Sequence, residues 1–218
     1  ARVIGYDHIP ASSTTTTSFS SFMYSNNECL ENIRSIVQYF GFNEHYSNGL
    51  YSEKYCKLFS KNFPVAIKNP LTKEMAFLRN SLIPGILKAI SINSRKNNHN
   101  YKLFEIGQIH KYIPNIKTKS IENTSLGLAW IDKKNMHWRS IQSNDIYKAK
   151  GDLEYILKKI SSENIKYQIT TSMNFSCVLN VIINKVKVGI IGEINRKILN
   201  EFNIKESVVI FEGNFEKI

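Results

Sequence analysis

The spacing of apolar residues predicts a helix near the start of the ordered pattern. Residues at three- and four-residue intervals share one face of a helix. The set with this spacing is Leu30, Ile33, Val37 and Phe40. The helix begins at about Asn27 and ends at Gly41, which stands where a helix C-terminal glycine belongs.

Two further segments have helical spacing. In the first, Ser81 is placed to cap the helix and Pro84 falls in its first turn, where a missing N–H has no intrahelical partner. Its predicted buried side consists of Leu82, Ile83, Ile86, Leu87 and Ile90. The second is DIYKAKGDLEYILKKI, the longest helical pattern in the chain. SEKYCKLF and NRKILNEF predict two shorter helices.

The remaining apolar runs predict strands. They are FNEHYSNGLY, FPVAIKN up to the Asn69-Pro70 turn, KLFEIGQIHKY, SLGLAWI, two strands of CVLNVIINKVKVGIIGEI on either side of Asn184-Lys185, and VVIFEG. Strands joined by hairpins and interrupted by helices indicate an α+β fold with a mainly antiparallel sheet flanked by helices.

The polar stretch near the start sets the predicted domain boundary. Residues 11–21 have little to bury, so residues 1–26 are predicted to be the tail of a preceding domain plus a polar linker. Residues 27–218 are then one core domain, long enough to bury a sizeable core. The chain is 42% hydrophobic and 22% charged, which is typical of folded globular domains.

Composition also excludes several classes of protein. No apolar run reaches the roughly 18 residues that span a bilayer, and no secretory signal is recognisable, so the expected location is cytoplasmic with no membrane partner. Cys29, Cys56 and Cys177 form no CxxC pair and predict neither disulfides nor a zinc site. They are expected to be small buried hydrophobes.

The chain is strongly basic, with a formal net charge of +11. Clustered Lys and Arg bind polyanions by releasing counterions from phosphates, so one interpretation is an RNA partner. Lys far outnumbers Arg, however, and the charge is equally compatible with a compositional drift of the whole chain. Both interpretations stay open.

No motif for catalysis or metal binding stands out. The five histidines do not recur at metal-ligand spacing, and HExxH, P-loop, GxGxxG and GxSxG patterns are absent from the sequence. No catalytic, cofactor-binding or metal-binding residue is therefore predicted. Glu105, the one acidic residue in KLFEIGQI, is expected to face solvent or to pair locally; the alternative is a carboxylate in a pocket.

Two motifs in register resemble a known family. NPLTKEMAFLRNSLIPGILKAI, followed by NHNYKLFEIGQI, is similar to the core of the β subunit of bacterial-type phenylalanyl-tRNA synthetase. That core has an Asn-Pro-Leu turn, a Leu-Arg-x-Ser-Leu segment, a Pro-Gly helix and a Phe-Glu-Ile-Gly strand in this order. IGYDHIP, KGDLEYIL, KVGIIGEINRKIL and VIFEGNF resemble further parts of the family, so the resemblance spans nearly the whole chain.

The resemblance implies a fold like a class II synthetase catalytic domain. In such enzymes two α and two β subunits assemble, the α subunit joins phenylalanine to tRNA with ATP and magnesium, and the β core is catalytically silent. The implied partners are therefore the α subunit, in an α2β2 assembly, and tRNA. The first helix and the strand after Gly41 match the element used for subunit association, so the isolated module is expected to expose an apolar stripe on that helix.

The residues at the expected ATP site support a silent core. Adenylate formation in this fold requires an arginine on the central strand and a GxGxxR segment, because phosphate charge must be neutralised by fixed cations. After Phe-Glu-Ile-Gly the chain continues with Gln108, Ile109, His110 and Lys111. The last third has no GxGxxR, and its one arginine is Arg196. The module belongs to a ligase by resemblance but is predicted to lack catalytic residues and cofactors of its own.

Structural or interface roles are predicted instead for a small set of residues. Arg79 matches an arginine of the family and is interpreted as a scaffold residue that pairs a buried acceptor or a helix end, or contacts the neighbouring subunit; the alternative is a substrate ligand. The full set is Arg79, Ser81, Pro84, Leu30, Ile33, Val37 and Phe40. The alternatives to a structural subunit core are a free-standing RNA-binding module and a degenerate adenylate-forming enzyme.

Some features depart from the family. Residues 173–176 are Met-Asn-Phe-Ser, where the family usually has a His-Pro-Gly-Arg-like segment before the closing hairpin. The metal-associated helix, the editing domain and the anticodon-stem-binding domain that flank this core in the family are expected to lie outside these 218 residues.

Overall fold

The computed structural model describes residues 26–60, 63–96, 98, 101–115, 118, 120–132, 146–161 and 163–217, together with residues 3 and 8. The chain divides into two units, residues 1–32 and 33–218. The first helix begins in the first unit and ends in the second, and all strands and later helices belong to the second unit. Trp138 and His137 lie outside the described residues.

The described residues form helices and strands in a mixed order. The α-helices are α1 (Asn26–Tyr39), α2 (Glu53–Phe59), α3 (Ile83–Arg95), α4 (Ile146–Ile160) and α5 (Arg196–Glu201). The strands are β1 (Phe42–Glu44), β2 (Leu50–Tyr51), β3 (Phe77–Leu78), β4 (Tyr101–Tyr112), β5 (Ser120–Asp132), β6 (Ile165–Thr170), β7 (Phe175–Ile183), β8 (Val186–Ile194) and β9 (Ser207–Asn214). Short 3-10 helices span Lys73–Met75 and Phe215–Lys217.

A seven-stranded sheet is the centre of the second unit. Its strand order is β1-β4-β5-β9-β8-β7-β6, and β2 and β3 form a separate pair. Neighbouring strands are antiparallel except for β1, which runs parallel to β4. The predicted α+β class with a mainly antiparallel sheet is confirmed.

The two faces of the sheet are covered by different helices. Alternating side chains of a strand point to opposite faces. On one face, Gly127 of β5 lies beneath Ile86 of α3, so close that a Cβ on the glycine would be 2.8 Å from Ile86 Cδ1. On the other face, Trp130 of β5 donates from Nε1 to Asp152 of α4, 3.0 Å away. α3 therefore covers one face and α4 the other.

The helices predicted from apolar spacing are present. Gly41 follows α1 with φ of 78°, a left-handed conformation that ends the helix and that glycine adopts without steric cost. Pro84 lies in the first turn of α3, as predicted. The predicted buried side of α3 is buried throughout, since its five members are each at most 1% exposed: Leu82, Ile83, Ile86, Leu87 and Ile90.

No described helix is long and apolar enough to span a bilayer.

Two strand predictions were wrong or incomplete, and one strand was not predicted. FNEHYSNGLY is not one strand, because the chain leaves β1 after Glu44 and re-enters extended structure only at β2. FPVAIKN forms a single bridge, between Ala66 and Phe77, and no named strand. β6 was not predicted at all.

Two burial predictions were also wrong. Cys29 and Cys177 are exposed, and only Cys56 is a buried hydrophobe. The exposed apolar stripe expected on the first helix is absent from its described part, because Ile33 and Val37 are 3% and 0% exposed. Both side chains are part of the core of the second unit.

The hairpin between β7 and β8 turns at Asn184-Lys185, as predicted, and both residues have positive φ, 49° and 66°. A left-handed conformation costs a non-glycine residue about 1–2 kcal/mol. We therefore expect Lys185→Gly to raise the free energy of unfolding by about 1 kcal/mol in urea denaturation. Lys187→Gly, within β8, is the matched control and should lower it. Equal or lower stability of Lys185→Gly would contradict this account.

Candidate functional site: a buried ion pair beneath helix α3

Arg79 lies in the connection between β3 and α3, and its backbone is hydrogen-bonded to two other segments of the second unit. Its N–H donates to the carbonyl of Gly49 at 2.9 Å, and its carbonyl accepts from the N–H of His110 in β4 at 2.8 Å. The connection between β3 and α3 is thus fixed to the 45–49 loop on one side and to β4 on the other. The backbone places the Arg79 side chain against the face of the sheet that α3 covers.

The guanidinium of Arg79 forms a buried ion pair with Glu105 of β4. Nη1 lies 2.5 Å from Oε1 of Glu105, and the two side chains are 8% and 1% exposed. Nε donates to the carbonyl of Gln108 at 2.8 Å. A buried charge pair is stable only when its remaining donors and acceptors are also satisfied. Glu105 neither faces solvent nor pairs locally, so that prediction was wrong.

Ser47 completes the hydrogen bonding of the pair. Its hydroxyl lies 2.7 and 2.8 Å from the two carboxylate oxygens of Glu105, and its N–H donates to Oε1 at 3.2 Å. Arg79 Nη1 lies 2.9 Å from the same hydroxyl, and Tyr51 OH lies 3.2 Å from it. Burial is the largest cause of the raised pKa of Tyr51, so this phenol remains protonated. The loop that interrupts the predicted strand therefore serves to bring Ser47 to the carboxylate.

Two glycines make room for this cluster. A Cβ on Gly107 of β4 would lie 2.1 Å from Nη2 of Arg79. A Cβ on Gly85 of α3 would lie 2.3 Å from Tyr51 OH and 2.4 Å from Ser47 Oγ. These are the glycines of the Phe-Glu-Ile-Gly and Pro-Gly motifs, so both motifs are explained by close packing around one ion pair.

A second carboxylate, Glu212 of β9, holds the start of α3. It accepts from the N–H of Leu82 at 2.5 Å and from the hydroxyl of Ser81 at 3.0 Å. Ser81 Oγ in turn accepts from the N–H of Ile83 at 3.2 Å, although the residue that precedes α3 is Leu82 and not Ser81. The sequence predicted Ser81 as the cap of α3, and its hydroxyl does accept a hydrogen bond from an N–H of the helix. No pattern in the sequence indicated the hydrogen bond between Ser81 and Glu212.

The pKa of Glu212 is raised above its ordinary value. Burial is the largest cause, and it is opposed by the Leu82 N–H, by the Ser81 hydroxyl and by the positive charges of Lys111 and Arg79. In register, Glu105 lies opposite Gly127 in β5, which lies opposite Glu212 in β9. α3 therefore begins above a row of two carboxylates separated by one glycine.

The other predicted site residues lie in α3 and in or directly after α1. Pro84 is buried in the first turn of α3, Leu30 and Phe40 are half-buried, and Ile33 and Val37 are buried. The segment that departs from the family begins β7, where Asn174 donates to the carbonyl of Leu58. No group of three His, Cys, Asp or Glu side chains among the described residues is arranged to hold a metal ion.

The fold is that of a known class of enzyme. A solved pyrrolysyl-tRNA synthetase from Desulfitobacterium hafniense aligns with a TM-score of 0.68 and 13% sequence identity, over 87% of this chain and 66% of that one. A second structure, of Desulfitobacterium hafniense PylSc, has a TM-score of 0.66 over the same shares. The sheet and its helices therefore have the fold of a class II aminoacyl-tRNA synthetase catalytic domain.

The family is shown by sequence. Residues 9–215 match the family described as the phenylalanyl tRNA synthetase beta chain CLM domain, and the chain belongs to this family. Phenylalanine--tRNA ligase beta subunits are 23% identical in Francisella tularensis and 28% identical in Fusobacterium nucleatum, over 97% and 100% of this chain. The chain spans 27% and 28% of the length of these relatives.

Removing the Arg79 side chain leaves Glu105 buried without its charge partner. We expect Arg79→Ala to lower the free energy of unfolding by about 3–5 kcal/mol. Arg34→Ala is the matched control, because the Arg34–Glu44 pair has side chains that are 23% and 30% exposed; its loss should cost less than about 1 kcal/mol. Chemical denaturation measures both. Equal losses of unfolding free energy for the two variants would show that the buried Arg79–Glu105 pair stabilises the fold no more than the Arg34–Glu44 pair does.

Glu212 should make stability depend on pH. With a pKa raised in the folded state, the folded protein binds a proton more tightly than the unfolded chain does, so stability falls as pH rises above the ordinary glutamate pKa of 4.5. Glu212→Gln keeps an oxygen for Leu82 N–H and carries no charge. We expect this variant to gain stability over the wild type at pH 8, with a gain that shrinks towards pH 5.

Denaturation midpoints at several pH values test this expectation. Glu122→Gln, at an exposed position of β5, controls for the loss of one negative charge. A difference between Glu212→Gln and the wild type that stays constant with pH, or grows towards acid, would contradict it.

Proposed function

We propose that this chain is a non-catalytic structural core of a phenylalanine--tRNA ligase β subunit. Its role is to support assembly with the catalytic α subunit, in an α2β2 enzyme, and binding of tRNA. The whole enzyme uses ATP and magnesium, and the module contributes no ligand for either. As an aminoacyl-tRNA synthetase component it acts in the cytoplasm. Residues 27–218 are its core domain and residues 1–26 a tail and linker.

The observation that carries the proposal is the ion pair beneath α3. In adenylate-forming relatives of this fold, the strand equivalent to β4 carries an arginine for the α-phosphate; here residues 108–111 have none. The arginine of this region, Arg79, enters from the β3–α3 connection and is neutralised by Glu105 at 2.5 Å. A neutralised cation at 8% exposure has no free charge with which to bind a triphosphate.

The same contacts support a scaffold role for Arg79, Ser81 and Pro84. All three lie where α3 begins, and Arg79 and Ser81 bond to carboxylates of the sheet. Ile33 and Val37 are core residues by their burial, which leaves the exposed side of α1 and the half-buried Phe40 as the parts available to a partner. We propose that the surface of α1 and β1 takes part in subunit association.

Two assays on the same preparation test the proposal. Size-exclusion chromatography with light scattering should show a complex when the chain is mixed with the α subunit of the same organism, and the complex should be assayed for aminoacylation. ATP–pyrophosphate exchange by the chain alone should stay at background. Exchange activity would favour a degenerate adenylate-forming enzyme, and a folded chain that forms no complex would overturn the assembly role.

A further inference from the structure

The outer side of β6 is an open strand edge in the part of the chain that the structure describes. β6 is the last strand of the sheet, and no described strand pairs with its outer side. Its six residues contain no proline and pair with β7 in continuous register, without a bulge. The opposite edge of the sheet is β1, which has only three residues. Proteins protect open edges with short strands, prolines or bulges, because free N–H and C=O groups pair with other chains.

One face of the β6 edge is apolar. Lys150 of α4 lies over the ring of Tyr167, with Nζ 4.5 Å from its centroid, so Tyr167 points to the face that α4 covers. Ile169 points to the same face, because alternate side chains of a strand share a face, and it is 82% exposed. Met173, just beyond the strand, is 92% exposed. The second half of the edge therefore presents apolar side chains that α4 leaves uncovered.

The other face of the edge is basic. Lys166 of β6 lies opposite Ile182 of β7, which lies opposite Lys187 of β8, so the two lysines share a row across the sheet. Lys185, in the turn between β7 and β8, is at the same corner, and all three lysines are exposed. None of them forms an ion pair with a described residue. Glu163 is the one acidic residue close to them in sequence, so the corner has a net positive charge.

The charge at this corner indicates which kind of strand fits the edge. A second copy of the chain would bring the same three lysines, and like charges opposite each other are destabilising. The chain's own residues 133–145 contain two lysines and one arginine against one aspartate, and residues 1–25 contain one acidic residue. A strand from another protein, with acidic side chains on the lysine face and apolar side chains on the Ile169 face, is complementary to both faces.

We propose that β6 is a docking edge for an extended segment of a partner protein in which acidic and apolar residues alternate. Such a segment adds a strand beside β6, with its acidic side chains on the face of Lys166 and its apolar side chains against Ile169. Hydrogen bonds between the two main chains supply affinity, and the different chemistry of the two faces supplies selectivity. The inference goes beyond the proposed structural role and requires neither the α subunit nor tRNA.

Fluorescence anisotropy with a fluorescein-labelled peptide of about ten residues, in which Glu and Val alternate, tests the inference on the full chain. A peptide of the same composition, with its Glu residues in one block and its Val residues in another, is the control probe. It should bind about tenfold more weakly, because it cannot match both faces in one register. Methylation of alternate peptide nitrogens removes the hydrogen-bond donors of one edge, so one of the two possible methylated sets should abolish binding and the other should not.

Variants of the protein test the two faces separately. Ile169→Ser removes the apolar contact and should weaken binding of the alternating peptide by about tenfold, whereas Ile169→Val should bind like the wild type. Lys166→Gln should weaken binding by about threefold and make it less sensitive to salt. Ile121→Ser, at an isoleucine of β5 that is 39% exposed, is the matched control and should leave peptide binding unchanged.

The inference is overturned if the alternating peptide does not bind, if the block peptide binds as tightly, or if neither methylated set loses binding. The last two results would show adsorption to positive charge alone. It is equally overturned if Ile169→Ser binds the peptide like the wild type, or if Ile121→Ser loses as much affinity. Light scattering distinguishes two other occupants: a dimer of the chain, or a complex with the α subunit, that Ile169→Ser disrupts would assign the β6 edge to that contact instead.

Discussion

The position of α3 on the sheet depends on the ion pair between Arg79 and Glu105. The pair joins the 45–49 loop, the β3–α3 connection and β4, which are distant in sequence. Its partners at Ser47 and Gln108 satisfy the polar atoms that burial would otherwise leave unpaired. The motif glycines at 85 and 107 are required by this arrangement, because any larger residue there would meet the cluster directly.

The second carboxylate of the row, Glu212, bonds to the start of α3 itself. The N–H groups at the start of a helix have no intrahelical partner. Glu212 of β9 accepts from one of these groups, the N–H of Leu82, while Glu105 holds the residue that leads into the helix. The sheet therefore binds α3 at its first turn, and the row of apolar side chains behind that turn packs onto β4 and β5. Hydrogen bonds from Ser81 and Leu82 to Glu212 hold the start of the helix, and apolar burial supplies most of the favourable free energy.

The sequence predicted what local patterns encode. Apolar spacing was sufficient for α1, α3 and α4, and Asn184-Lys185 marked the hairpin between β7 and β8, because these features depend on residues close together in the chain. β6 was missed although IKYQIT alternates apolar and polar residues, because the run is only six residues long and is separated by only four residues from the end of a long helical pattern. Glu105 was misjudged because its partners are 26 and 58 residues away, and no local pattern records such a distance. The family motifs marked the right segments, but the reason for their glycines is visible only in three dimensions.

The order of strands in the sheet has a consequence for synthesis on the ribosome. β9 is the last strand of the described chain, yet it lies between β5 and β8 in the sheet. Until β9 leaves the ribosome, β5 has one unpaired edge and Leu82 lacks its carboxylate acceptor. Unpaired edges of this kind are the surfaces on which nascent chains associate wrongly. The emerging chain therefore passes through a stage in which the open edge of β5 needs protection, and the arrival of β9 both pairs that edge and supplies the acceptor for Leu82.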